Sequence, residues 1–289
     1  MKQQGSKKLG LVLAFIVTLV VSLVVSSIPS DAETSLAAVH QNDRPTPTAI
    51  ARVEPKVAIT AKEVDYATAN GKTVTGYFVS PQDQAKPLPG IIAIHEWWGL
   101  NNNIKAMARR LAGEGYQVLA VDLYNGQTAD SPDKASQLTE TVSENPQVAK
   151  ENLRLAYQYL VEQKQAPTMG SIGWCFGGSW SLQTALIYPE ELDAAVIYYG
   201  GQIGEATEAE LATLNVPILG IFGAEDSSIP VATVTEFEST LDELNVPSEF
   251  HIYENAGHAF ANPSGNRYVA KAAEKAWQET TQFLAKYLS

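Results

Sequence analysis

Apolar positions along the chain fall into alternating short and long blocks. The runs Ile91-Ile92-Ala93-Ile94 and Val118-Leu119-Ala120-Val121 have the length and composition of strands covered on both faces. Segments 74–79, 171–174, 194–199, 218–222 and 250–253 read as further strands. Between them the apolar spacing lengthens to a helical period. Segment 102–111 puts Ile104, Met107 and Leu111 on one face and stops at Gly113 and Gly115. Segment 148–161 aligns Leu153, Ala156, Tyr157 and Leu160, and 180–187, 231–244 and 270–288 are also predicted helices. Repeated strand–helix alternation predicts an α/β architecture: a mostly parallel sheet with helices on both faces. In such sheets chemistry collects at the carboxyl ends of the strands.

The amino-terminal region breaks this pattern. Lys2, Lys7 and Lys8 precede an uncharged apolar run over 9–28, and Ser30-Asp31-Ala32 supplies small residues at the −3 and −1 positions of a cleavage site. Residues 1–32 therefore read as a secretory signal peptide. The run is also long enough to span a bilayer, so an uncleaved N-terminal membrane anchor is the alternative. Both readings place the body outside the cytoplasm, secreted, periplasmic or anchored, with membrane contact only through this segment. Residues 33–60 are rich in Ala, Pro, Thr and Gln and contain Arg44-Pro45-Thr46-Pro47-Thr48. They read as an extended linker, in which His40 is expected to be solvated. The folded domain is then 61–289.

Composition narrows the chemistry. A chain of 289 residues, 45% hydrophobic and 18% charged, can bury a full core without disulfides. A single cysteine, Cys175, excludes an intramolecular disulfide and a Cys-rich metal site. A net charge of −12 argues against nucleic acid as a partner. No Walker A motif and no G-x-G-x-x-G after a strand is present, so no nucleotide or flavin cofactor is expected. His95-Glu96 lacks an H-x-x-x-H partner, so no metal is expected there.

Each chemistry-bearing motif follows a predicted strand. Cys175 lies in Gly173-Trp174-Cys175-Phe176-Gly177-Gly178, between a strand and a helix. This is the G-x-nucleophile-x-G elbow, with cysteine in the place of the commoner serine. Glycines two positions either side remove collisions with neighbouring backbone, and the helix N-terminus favours a thiolate. A thiol nucleophile needs a base and a group that orients the base. His258, in Asn255-Ala256-Gly257-His258-Ala259-Phe260, is the candidate base, whereas His251 sits within a strand. Asp226, in Gly223-Ala224-Glu225-Asp226-Ser227-Ser228-Ile229-Pro230, is the candidate acid, with Glu225 the nearby competitor. The order Cys175, Asp226, His258 is that of the α/β-hydrolase fold. In that fold the loop His95-Glu96-Trp97-Trp98-Gly99 supplies one oxyanion-hole N–H and Phe176, after the nucleophile, the other. His95 could orient that loop.

At these residues the sequence resembles the dienelactone hydrolase family. The resemblance covers about 64–288 and rests on His95-Glu96-Trp97-Trp98-Gly99, Val121-Asp122-Leu123-Tyr124, Gly173-Trp174-Cys175-Phe176-Gly177-Gly178, Asp226 with Pro230, and Gly257-His258-Ala259-Phe260. It implies Cys175 as nucleophile, His258 as base and Asp226 as its partner. It implies Glu96 as a carboxylate that holds the resting thiol and releases it when substrate binds. Trp97 and Phe176 would give the oxyanion-hole amides. The implied reaction is hydrolysis of a small-molecule ester or lactone through a thioester acyl-enzyme.

The departures are informative. Family members that cleave dienelactone carry an arginine two residues after the tyrosine matching Tyr124, and a second four residues after the histidine. Here these positions are Gly126 and Asn262. Those arginines grip a substrate carboxylate. Their replacement points to a neutral ester or lactone, with acyl specificity shaped by Trp97, Trp98, Tyr124 and Phe176. Arg267 is the residue that could compensate. The competing reading is an extracytoplasmic binding or scavenging protein on a catalytically weak hydrolase scaffold.

Overall fold

The computed structural model describes His40 and residues 54–69, 71–83, 86–263 and 265–289. The leader predicted over 1–32 and most of the predicted linker lie outside the described residues. Among the described residues, no helix is long and apolar enough to cross a membrane.

Eight strands form one sheet: β1 (Ile59–Ala69), β2 (Lys72–Pro81), β3 (Gly90–Ile94), β4 (Gln117–Val121), β5 (Met169–Trp174), β6 (Ala194–Tyr198), β7 (Ile218–Gly223) and β8 (Ser248–Tyr253). Their order across the sheet is β1-β2-β4-β3-β5-β6-β7-β8. The β1–β2 and β2–β4 pairs are antiparallel, and the pairs from β4 through β8 are parallel. The connecting helices are α1 (Asn102–Gly113), α2 (Pro132–Glu144), α3 (Pro146–Gln158), α4 (Phe176–Ile187), α5 (Val231–Glu243) and α6 (Ala270–Leu288). Every residue of β3, β4, β5, β6 and β7 is buried, which requires cover on both faces. The two edges, β1 and β8, are largely exposed or half-buried.

The structure adds elements that the apolar pattern did not reveal. β1 reaches back to Ile59, inside the predicted linker, because it is an edge strand of sequence ITAKEVDYATA with few apolar residues to bury. α2 was missed because only Pro132, Ala135, Leu138 and Val142 face inward. α4 begins at Phe176, ahead of the predicted Trp180. Gly177, Gly178 and Ser179 have poor helix propensity, and burial against the sheet overrides it.

The turn from β5 into α4 is the tightest point of the fold. A Cβ on Gly173 would lie 1.9 Å from the Gly177 carbonyl oxygen, and one on Gly177 would lie 2.3 Å from the carbonyl oxygen of Ile94. Both neighbours are backbone and cannot turn aside. Gly177→Ala is expected to destabilise the fold by about 3 kcal/mol through overpacking, lowering the thermal midpoint by roughly 5–10 °C. Gly201→Ala, where the added Cβ meets nothing within 4 Å, is expected to change stability by less than about 0.5 kcal/mol. Thermal denaturation of both variants checks the pair; equal midpoints would contradict the steric account.

Candidate active site

Four strand ends on one rim of the sheet supply the site. β5 delivers Cys175 at its carboxyl end. The residue is held at φ 56°, ψ −118°, a region that side chains other than glycine rarely adopt. Its N–H donates to the Tyr198 carbonyl at 3.0 Å, which ties the turn to β6. Its carbonyl accepts from Gly178 N–H at 2.9 Å, so the sulfur sits at the first turn of α4. There the helix dipole favours negative charge.

The loop after β8 delivers His258, and the loop after β7 delivers Asp226. The His258 Nε2 lies 3.2 Å from the Cys175 Sγ, and its Nδ1 lies 2.8 Å from Asp226 Oδ2. The other Asp226 oxygen accepts the backbone N–H groups of Ser228 at 2.8 Å and Ile229 at 3.0 Å. These bonds fix the carboxylate before it meets the imidazole. All three side chains are buried. Burial alone would pull the His258 imidazole down. The charge on the Cys175 sulfur and the hydrogen bond to Asp226 outweigh it and push the group up to about 10. The geometry is a hydrogen-bonded chain from sulfur to imidazole to carboxylate, in which the carboxylate can orient the imidazole.

The loop after β3 carries His95, Glu96, Trp97 and Trp98. His95 is fully buried, and burial holds its imidazole below the ordinary range. Its Nε2 accepts the Leu123 N–H at 3.1 Å, which leaves Nδ1 to donate to the Glu96 carbonyl at 2.6 Å. His95 thus pins the β3 loop to the β4 loop, an orienting role. The Glu96 carboxylate accepts the side-chain amides of Asn262 at 2.8 Å and Asn103 at 3.4 Å, while Asn103 also donates to Asn262 Oδ1 at 3.3 Å. The Cys175 sulfur is against His258 in this structure, and Glu96 is held by the asparagines.

A cavity of about 10 Å³ lies beside the sulfur, lined by His40, Glu96, Trp97, Cys175, Asn262 and Arg267 among others. Arg267 therefore reaches the site. His40, expected in solvent, is instead 1% exposed and corrects that expectation. Its ring packs on two aromatic partners, Trp97 at 4.7 Å and His258 at 5.0 Å between centroids. Linker composition gives no sign of such packing.

Trp98 lines this cavity, but Tyr124 does not. The Tyr124 ring lies against His95 at 4.5 Å and Phe176 at 5.5 Å, and faces a second cavity of about 280 Å³ with Leu138 and Val142. The loop beyond it is shaped by Asp122, whose carboxylate accepts the N–H groups of Tyr124, at 2.8 Å, and of Gly126. Tyr199, overlooked in the sequence, stands at the end of β6 with its ring 5.2 Å from His258. Among the described residues, the buried hydroxyls of Tyr124 and Tyr199 find no hydrogen-bond partner. Tyr199 ends the predicted strand 194–199 and directly follows β6 on the same rim, which is the signal that could have found it.

The raised His258 imidazole has a consequence for stability. A group held above its ordinary value of 6.5 stabilises the folded state fully below that pH. The contribution then fades as pH rises towards about 10. Chemical denaturation of wild type and His258→Gln should show their stability difference shrinking across that window. A difference that grows with pH would contradict the arrangement.

The model of the dienelactone hydrolase family matches residues 74–288. "Protein usf" of Aquifex pyrophilus is 31% identical over 227 residues, covering 76% of this chain and 96% of the relative. A protein of Escherichia coli strain K12 named "Putative carboxymethylenebutenolidase" is 31% identical over 230 residues, covering 76% of this chain and 84% of the relative. A Klebsiella pneumoniae crystal structure described as a "Putative Dienelactone Hydrolase" superposes with a TM-score of 0.70 at 30% identity, covering 80% of this chain and all of that one. With its α/β-hydrolase sheet and a family model that matches residues 74–288, the chain belongs to the dienelactone hydrolase family.

Proposed function

We propose that this hydrolase cleaves a neutral ester or lactone through Cys175. The observation that carries the reading is the continuous hydrogen-bonded chain: Sγ to His258 Nε2 at 3.2 Å and Nδ1 to Asp226 Oδ2 at 2.8 Å. His258 takes the thiol proton, and the thiolate attacks the substrate carbonyl carbon. The oxyanion that forms lies beside the Phe176 N–H, at the start of α4, and the Trp97 N–H. Collapse expels the alcohol oxygen, which takes the proton from His258 and leaves a thioester on Cys175. A water, deprotonated by His258, attacks the thioester and releases the acid. Asp226 holds the imidazole in orientation and stabilises its charged form throughout.

The preference for a neutral substrate is supported by the cavity's charges. Glu96 and Arg267 line the same cavity, so the cation that could grip a substrate carboxylate shares the space with a carboxylate. Asn262 is engaged with Glu96, and Gly126 presents only its backbone to Asp122. A carboxylate-bearing lactone would enter a site without the two arginines that its family counterparts use. The basic, apolar amino-terminal segment supports an extracytoplasmic location.

Purified full-length protein assayed on a panel of neutral and anionic esters and lactones tests the reading. Neutral substrates are expected to be hydrolysed faster, and faster cleavage of anionic lactones would contradict the charge argument. Cys175→Ala is expected to lower kcat/KM by more than about 1,000-fold, and Asp226→Asn by roughly 100- to 10,000-fold. Unchanged turnover in Cys175→Ala would overturn the mechanism.

A further inference from the structure

We infer that the cavity walled by Tyr124 is a binding site for a small amphipathic carboxylate, with its head at Lys72 and its chain among Leu123, Leu138 and Val142. The inference goes beyond the hydrolase reading and does not depend on it. The cavity lies between β2, the loop after β4, and helices α2 and α3. It shares no lining residue with the cavity beside Cys175, although the Tyr124 ring that walls it rests on Phe176 at 5.5 Å. Its volume is about 280 Å³. A cavity of about 150 Å³ holds benzene, so a ligand of roughly ten to twelve non-hydrogen atoms fits here.

The lining has two parts. Val74, Leu123, Tyr124, Leu138, Val142 and Ala149 are buried and give an apolar floor. Lys72, Asn125, Gln127 and Thr141 are exposed and give a polar rim. Val148 also lines the cavity and is 47% exposed, so a chain laid there covers apolar surface that now faces solvent. Charge selects the head group. No aspartate or glutamate lines the cavity, in a chain of net charge −12, and Lys72 is the one formal charge of the lining. Among the described residues Lys72 forms no ion pair. Lys134 donates to the Gln127 side-chain oxygen at 3.3 Å, which leaves the Gln127 NH2 group to donate. An ammonium and an amide donor at the rim match a carboxylate, and the buried floor matches an alkyl or aryl chain.

The test uses the full-length protein with sodium octanoate, and octanamide as its uncharged counterpart, in isothermal titration calorimetry. Octanoate is expected to bind at least ~5-fold more tightly than octanamide. Lys72→Gln should weaken octanoate by at least ~5-fold and leave octanamide within about 2-fold. Thr141→Trp, which fills the cavity from the rim, should weaken both ligands. Positions 72 and 141 are exposed, so both variants are expected to fold. No binding of octanoate up to about 10 mM, or equal affinity in wild type and both variants, overturns the inference. Alkylation of Cys175 by iodoacetamide locates the ligand without any turnover. With octanoate saturating, its rate should stay within about 2-fold of the free protein. Protection of the thiol that persists in Thr141→Trp places octanoate at the sulfur and overturns the inference, leaving the Cys175 mechanism intact.

Discussion

The site depends on one steric constraint, the contact of the β5–α4 turn with the end of β3. Gly177 passes so close to the Ile94 and His95 carbonyls that only a hydrogen fits between them, and Gly173 does the same against Gly177. This closeness holds Cys175 in its positive-φ conformation and fixes the direction of its sulfur. A nucleophile on a relaxed helix would move with its rotamers. Here the backbone itself does the aiming, and a cost of order 1–3 kcal/mol for the unusual conformation is absorbed by the fully buried strands β3 and β5.

The groups around the sulfur are fixed by other means. Asp226 is held by two backbone N–H groups, so His258 meets a carboxylate already in place. His95 ties two loops together as a neutral ring. Asn103 and Asn262 hold Glu96 from two different segments of the chain. The candidate chemistry thus draws on four loops whose relative positions are set by hydrogen bonds within the described fold, and each loop begins where a parallel strand ends.

Much of this was legible in the sequence, for physical reasons. Strands buried on both faces, such as Ile91–Ile94, must be continuously apolar, and the long helix Ala270–Leu288 must carry a stripe. The elbow glycines announce themselves because nothing else fits. Edge strand β1 was hidden, since a strand that buries little needs no apolar signature. Helix α4 was mis-started because local propensity at Gly177 and Gly178 opposes a helix that tertiary contact enforces. His40 was illegible altogether: its ring lies against Trp97 and His258, both distant in sequence, and nothing local encodes those contacts. Arg267 stood out in the sequence as a cation that could compensate, but its approach to the cavity depends on the path of the loop after His258.

The most direct measurement of the central claim is chemical identification of the covalent intermediate. The protein is mixed with a p-nitrophenyl ester, quenched in acid during the first turnover, digested and analysed by mass spectrometry. The account predicts an acyl group, labile to hydroxylamine, on the peptide that carries Cys175. Turnover with the acyl group on another residue, or with Cys175 unmodified throughout, would contradict it.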